Sequence, residues 1–154
     1  MSRLAGFSLL ELLIVLTVFA SLAGTAAWWL RPSLVERSAQ GFRATVQAAR
    51  IEALAGTPTN VRFDPERHRF LVRRGPGPCD GPPIRSHAPE PRVAVVATLR
   101  DGIVWLPDGT GRACSGGGVY GGTVRFEGPD GDAAEVVVAS TGRLRIERPD
   151  GEGR

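Results

Sequence analysis

The stretch Gly6-Phe7-Ser8-Leu9-Leu10-Glu11, continued by LLIVLTVFASLAGTAAWWL over Leu12–Leu30, decides what kind of chain this is. No residue from Leu12 to Leu30 is charged. A helix of that length, rising 1.5 Å per residue, covers about 28 Å, close to the hydrocarbon thickness of a bilayer. Arg3 precedes the run, Arg31 follows it, and Trp28 and Trp29 stand at its far end. An indole, apolar in body and polar at one edge, suits a membrane–water boundary. The run therefore reads as a membrane segment, and three kinds compete. A cleaved secretory signal takes Arg3 as its basic start and Ser21-Leu22-Ala23 as its cleavage site. A plain single-span anchor simply stays in place. The third kind turns on Glu11.

A carboxylate at mid-membrane costs on the order of 2.5–3.5 kcal/mol on insertion scales, and less near the edge. A secretory signal gains nothing from that cost, so Glu11 needs a partner. The residues before it suggest one. The stretch resembles the leader and mature start of the type IV pilin superfamily: a short basic leader ending in Gly, then Phe, then Glu as the fifth mature residue. Gly6, Phe7 and Glu11 fill those places. The resemblance implies that a prepilin peptidase cuts between Gly6 and Phe7 and methylates the new Phe7 amine. It also implies that Glu11 meets the Phe7 amine of a neighbouring subunit and sets axial register during assembly. In a lipid-like bundle, a carboxylate and an ammonium each cost much when alone and less when paired.

Working outward, 154 residues suffice for one modest domain and an extra element, not for two separate cores. Hydrophobic residues make up 42% and charged residues 23%, which excludes disorder of the whole chain. Gly 20 and Pro 12 indicate many turns between short elements. All 19 basic residues are arginine and the net charge is only +3. This argues against a whole-surface nucleic-acid binder and leaves a local basic patch open.

Pro32 lacks an amide hydrogen and should bend or reset the helix. From Ser33 to about Ala55 the helix resumes, with Val35, Ala39, Phe42, Val46, Ala49 and Ala53 recurring on one face. Beyond Gly56 short alternating runs take over: 61–63 and 70–72 around an Asp64–Arg67 turn, 92–99, 103–106, 123–127, 134–138 and 143–146. About seven strands with no second helix between them predict an α+β fold. Its long N-terminal helix, membrane-spanning in the first half and amphipathic in the second, packs on a mainly antiparallel sheet. The expected organisation is a leader at 1–6, a transmembrane and assembly helix at 7–31, its amphipathic continuation at 32–56 and a β-rich globular domain at 57–154.

Two segments, Gly75–Pro91 and Thr110–Gly122, lack periodicity and read as loops, each with one cysteine. Outside the cytoplasm Cys79 and Cys114 are expected to form a disulfide, the alternative being two free thiols. Catalytic and metal-binding patterns are missing. His68 and His87 lie in different segments without helical metal-ligand spacing, and the cysteines are not in a CxxC arrangement. Gly116-Gly117-Gly118 lacks the Lys-Ser/Thr ending of a phosphate loop, and Ser140 is not in a nucleophile elbow. The chain is expected not to be an enzyme, and to use no cofactor, metal or small-molecule substrate.

The C-terminal run Gly142-Arg143-Leu144-Arg145-Ile146 is similar to the GRxR signature of the GspH/FimT family of minor pilins and pseudopilins. The stretches 102–109 and 136–142 are similar to that family as well. In a strand, Leu144 and Ile146 face the core while Arg143 and Arg145 share the outer face, about 7 Å apart. The resemblance implies that Gly142 allows the turn and that Arg143 and Arg145 contact DNA phosphates. Arg148 lies just beyond, and Arg125 is expected on the neighbouring strand. Guanidinium forks suit phosphate oxygens. The same arginines also fit an ordinary solvated strand face, and Glu147, Asp150 and Glu152 dilute the local field.

The resulting expectation is a minor pilin of a type IV pilus that aids assembly and binds DNA for uptake. The alternative is a minor pseudopilin of a type II secretion system. Either is held in the inner membrane by Leu12–Leu30, with its globular domain on the extracytoplasmic side. Either meets a prepilin peptidase, an inner-membrane assembly platform and other pilins.

Overall fold

Ser33 opens the helix on which the globular unit is built. Its hydroxyl accepts a hydrogen bond from the Glu36 amide at 3.1 Å, satisfying one of the donors that a first helical turn leaves unpaired. A computed structural model describes residues 8–29 (26–29 by backbone only), 32–75, 79, 81–98, 102–116 and 121–149. It divides into two compact units, 1–32 and 33–154.

The first unit is one helix, α1 (Leu9–Trp29), 21 residues long. Its described side chains are exposed. The hydroxyls along it do not need water. Thr17 donates to the Ile14 carbonyl at 2.8 Å, Ser21 to Thr17 at 2.8 Å and Thr25 to Leu22 at 2.9 Å. Such back-bonding lets hydroxyls sit in apolar surroundings. Among the described residues no helix is long and apolar enough to cross a membrane. The expected span Leu12–Leu30 continues through 26–30, which lie wholly or by side chain outside the description.

The second unit begins with α2 (Leu34–Leu54). The predicted stripe of Val35, Ala39, Phe42, Val46, Ala49 and Ala53 is buried throughout. Ser38 and Thr45 are buried beside it with their hydroxyls paired: Ser38 accepts from the Glu90 amide at 3.0 Å, and Thr45 donates to the Gly41 carbonyl at 2.8 Å. Gly56, at φ 104°, turns the chain out of the helix.

Nine strands among the described residues follow: β1 (Thr59–Asp64), β2 (Arg69–Arg74), β3 (Pro83–His87), β4 (Ala94–Ala97), β5 (Ile103–Trp105), β6 (Gly111–Ala113), β7 (Gly122–Glu127), β8 (Ala133–Val138) and β9 (Leu144–Glu147). They form two antiparallel sheets rather than the single sheet expected. One has the order β3-β2-β1-β5-β6, the other β4-β7-β8-β9. The Gly111 amide donates to the Ser140 carbonyl at 3.0 Å and links one sheet to the β8–β9 turn of the other. Phe42 shows how α2 serves both: its ring lies 4.4 Å from Phe70 of β2 and 5.9 Å from Phe126 of β7. Ile103 and Trp105 of β5 are fully buried in the same core.

Both supposed loops contain a strand. β3 lies inside 75–91 and β6 inside 110–122. β3 is an edge strand, exposed over four of five residues, so it carries no alternation. β6 is too short for a period to register. The apolar run 92–99 is reduced to the four-residue edge strand β4, whose residues are half-buried or exposed.

Candidate functional site

At the N-terminus, Gly6 and Phe7 lie outside the described residues. Glu11 occupies the first turn of α1 and is exposed. A carboxylate there faces the positive end of the helix dipole and the unpaired amides of the first turn. This stabilisation is local to the helix and needs no partner.

The arginine-bearing C-terminal strand is entered through a turn whose geometry explains Gly142. The Gly142 amide donates to the Ala139 carbonyl at 2.8 Å, and the Ala139 amide donates to the Arg143 carbonyl at 2.9 Å. Two residues thus face one across the hairpin, and the extra residue, Gly142, takes φ 83°, where a Cβ is strained. Gly142 is buried, and a Cβ on it would run into the Arg50 guanidinium.

Arg50 is the residue that sequence reasoning missed. From α2 it donates to the Thr141 carbonyl at 3.1 Å and the Gly142 carbonyl at 3.3 Å, with its Cζ 5.8 Å from the Trp105 ring centroid. It joins the helix to β5 in one sheet and to the β8–β9 turn in the other. Its signal was weak, because an arginine beside a helical stripe looks solvated and its partners lie 91 and 92 residues away.

Leu144 and Ile146 pack against the core, and Arg143 and Arg145 are exposed, as the alternation requires. The charges differ from a free basic strip. Arg145 pairs with Glu147 at 3.3 Å, and Arg148 pairs with Glu36 at 3.3 Å. Arg125 lies on β7, separated from β9 by β8 rather than adjacent to it. It bonds Glu127 at 2.7 Å and Glu135 at 3.4 Å. Among the described residues Arg143 makes no ion pair.

Cys79 and Cys114 form a disulfide with Cα atoms 5.6 Å apart. Both are buried and pack with Val104 and Leu106 in a small cluster separate from the main core. His68 Nε2 is 3.0 Å from the Val93 carbonyl, and the His87 ring packs on Gly41 of α2. Among the described residues no group of three or more His, Cys, Asp and Glu side chains could hold a metal ion.

Comparison with known proteins fits this geometry. Residues 1–27 match the prokaryotic N-terminal methylation motif. A structure of the minor pseudopilin EpsH from the Type 2 Secretion System of Vibrio cholerae superposes with a TM-score of 0.60. It shares 17% identity and covers 77% of this chain and 99% of that one. The chain thus carries a motif like that of methylated prokaryotic N-termini and a fold like that of a minor pseudopilin. A second EpsH crystal structure gives a TM-score of 0.58 at 17% identity, over 79% of this chain and 97% of that one. No curated protein matches the chain.

Proposed function

We propose that this chain is a minor pseudopilin, a non-enzymatic subunit of a short filament serving a type II secretion-like machine. The observation that carries the reading is the coincidence of two features: a methylation motif over residues 1–27, and a globular unit with the fold of a minor pseudopilin over nearly that protein's whole length. A prepilin peptidase removes residues 1–6 and methylates Phe7. The apolar helix holds the chain in the inner membrane until an assembly platform extracts it, and Glu11 pairs with a neighbouring subunit's Phe7 amine. Residues 57–154 stay on the extracytoplasmic side. The mass of the mature N-terminus tests this. Methyl-Phe7 is expected, whereas a mature start at Gly24 would show a secretory signal and overturn the reading.

A type IV pilus subunit that contacts DNA is the second reading. Arg143, exposed and without an ion pair among the described residues, favours it. The carboxylate partners of Arg145 and Arg148 weigh against it, since a phosphate must displace them.

A further inference from the structure

Strand β3 and the connection after it form a strap fixed at both ends. Before it, Cys79 is bridged to Cys114. After it, Val93 is buried and its carbonyl lies 3.0 Å from His68 Nε2. Between these points, over residues 81–92, β3 pairs with β2 alone among the described residues, with a register shift between Val72 and Arg73. Four of its five residues are exposed. An edge strand with so few buried contacts can open locally while the core stays folded. Its holds on α2 are the Arg85–Glu52 pair at 3.4 Å, buried Pro89, the Glu90 amide on Ser38 Oγ at 3.0 Å, and the His87 ring.

The His87 ring is the hold that a proton can withdraw. Its hydrogen bond to the Ser38 backbone favours the protonated ring, so the ring donates to the carbonyl. Nε2 is buried without a partner, which makes Nδ1 the donor. Nε2 lies against α2, where a Cβ on Gly41 would stand. The Gly41 carbonyl already accepts the Thr45 hydroxyl at 2.8 Å. A neutral ring fits this place. An imidazolium carries a second N–H, and at Nε2 that donor would be buried with no acceptor.

The surrounding charges do not relieve it. On α2, Glu36 holds Arg148, Arg37 holds Glu90 of the connection, and Glu52 holds Arg74 and Arg85. On β2, Arg69 holds Asp64. Arg43 of α2 and Arg92 of the connection are exposed cations, which oppose a further positive charge.

We propose that His87 is an acid-released latch: when Nε2 takes a proton from water, the strap 81–92 lifts from α2 while both its ends and the remaining core stay in place. Burial already holds the ring below its ordinary value of 6.5, and the open strap returns it there. Linkage then sets a ceiling. Relative to pH 7, opening at pH 5 is favoured by up to about twenty-fivefold, the excess protonation of a ring that titrates at 6.5. The latch is independent of the subunit reading.

Hydrogen exchange of the full-length chain in detergent, at about pH 7 and pH 5 and corrected for intrinsic rates, tests it. Protection over 81–92 is expected to fall by about threefold to twenty-fivefold, while 122–138 stays within about twofold. His87→Gln, neutral at both pH values, should lose the pH-dependent step, and His68→Gln should keep it. Should His87→Gln open at both pH values, the wild-type ring signal in a nuclear magnetic resonance titration decides. It must then titrate below 6.5 over the range in which 81–92 loses protection. Unchanged protection in the wild type overturns the latch. So does a step that survives in His87→Gln, a His87 ring that titrates at 6.5 or above, or an equal loss over 122–138, which marks global unfolding.

Discussion

Arg50 Nη1 donates to the Gly142 carbonyl at 3.3 Å, joining residues 92 positions apart. A second tie, Arg148 to Glu36, lies at the other end of β9. From Glu36 to Arg50 the helix advances about 21 Å at 1.5 Å per residue. From Gly142 to Arg148 an extended chain advances about 20 Å at 3.3 Å per residue. The edge strand is therefore strapped to α2 at both ends by contacts whose separations match.

The two straps differ in worth. Arg148 and Glu36 form an exposed pair, and such pairs contribute about 0.2–1 kcal/mol. Arg50 makes two charge-assisted bonds to backbone oxygens and lies over a buried indole. Arg50→Ala is expected to cost about 2 kcal/mol and Arg148→Ala less than about 0.5 kcal/mol in urea denaturation. Gly142→Ala should cost about 1–3 kcal/mol, through its positive φ and its collision with Arg50. Equal losses from Arg50→Ala and Arg148→Ala would refute this ranking.

The Cys79–Cys114 bridge spans a sequence separation of 35 and anchors two segments beside Val104. On the chain-entropy estimate, replacing both cysteines by serine costs about 3–4 kcal/mol. For a unit of this size that lowers the melting temperature by about 10 °C or more. Reductant should reproduce the effect on the wild type and leave the double variant unchanged.

His87 is held below its ordinary value of 6.5 by burial, a shift that the Ser38 backbone hydrogen bond partly offsets. The folded state thus disfavours the imidazolium. Its contribution to stability is complete above pH 6.5 and declines as the pH falls below it, because the unfolded chain binds the proton first. Stability should therefore rise with pH between about 5 and 7, with a smaller slope in His87→Gln. The same ring sits where a Cβ on Gly41 would point. Gly41→Ala gains about 1 kcal/mol of helix propensity but overpacks at a cost of about 1–3 kcal/mol, so a net loss is expected. Adding His87→Ala should remove that loss. A Gly41→Ala chain more stable than wild type would show the packing to be loose.

Elements with a long period were readable in the sequence. All six positions of the α2 stripe are buried, and the Asp64–Arg67 turn joins β1 to β2. The division into two sheets was not readable, because it depends on Phe42 touching Phe70 and Phe126 at once, a tertiary fact with no local pattern. β3 and β6 were hidden by edge exposure and shortness. At the arginine turn the alternation of Leu144 and Ile146 against Arg143 and Arg145 was legible. Glu147, two residues from Arg145, was legible as a charge that dilutes the local field, whereas the partners Glu36 and Arg50 were not, since nothing in the sequence links a strand to a helix some 90 or more residues away.

Those partners set the expectation for DNA. Each phosphate neutralised contributes about −0.9 to the slope of log K against log salt. Arg145 and Arg148 already hold carboxylates, so a phosphate gains little from them, whereas Arg143 has no ion pair among the described residues. If the GRxR turn contacts DNA, Arg143→Ala should reduce the slope by about 1 in gel-shift titrations of the full-length chain in detergent. Arg145→Ala should leave it nearly unchanged. Glu147→Gln, which frees Arg145, should strengthen binding and steepen the slope. Identical titrations for wild type, Arg143→Ala and Glu147→Gln would remove DNA as a ligand of this strand.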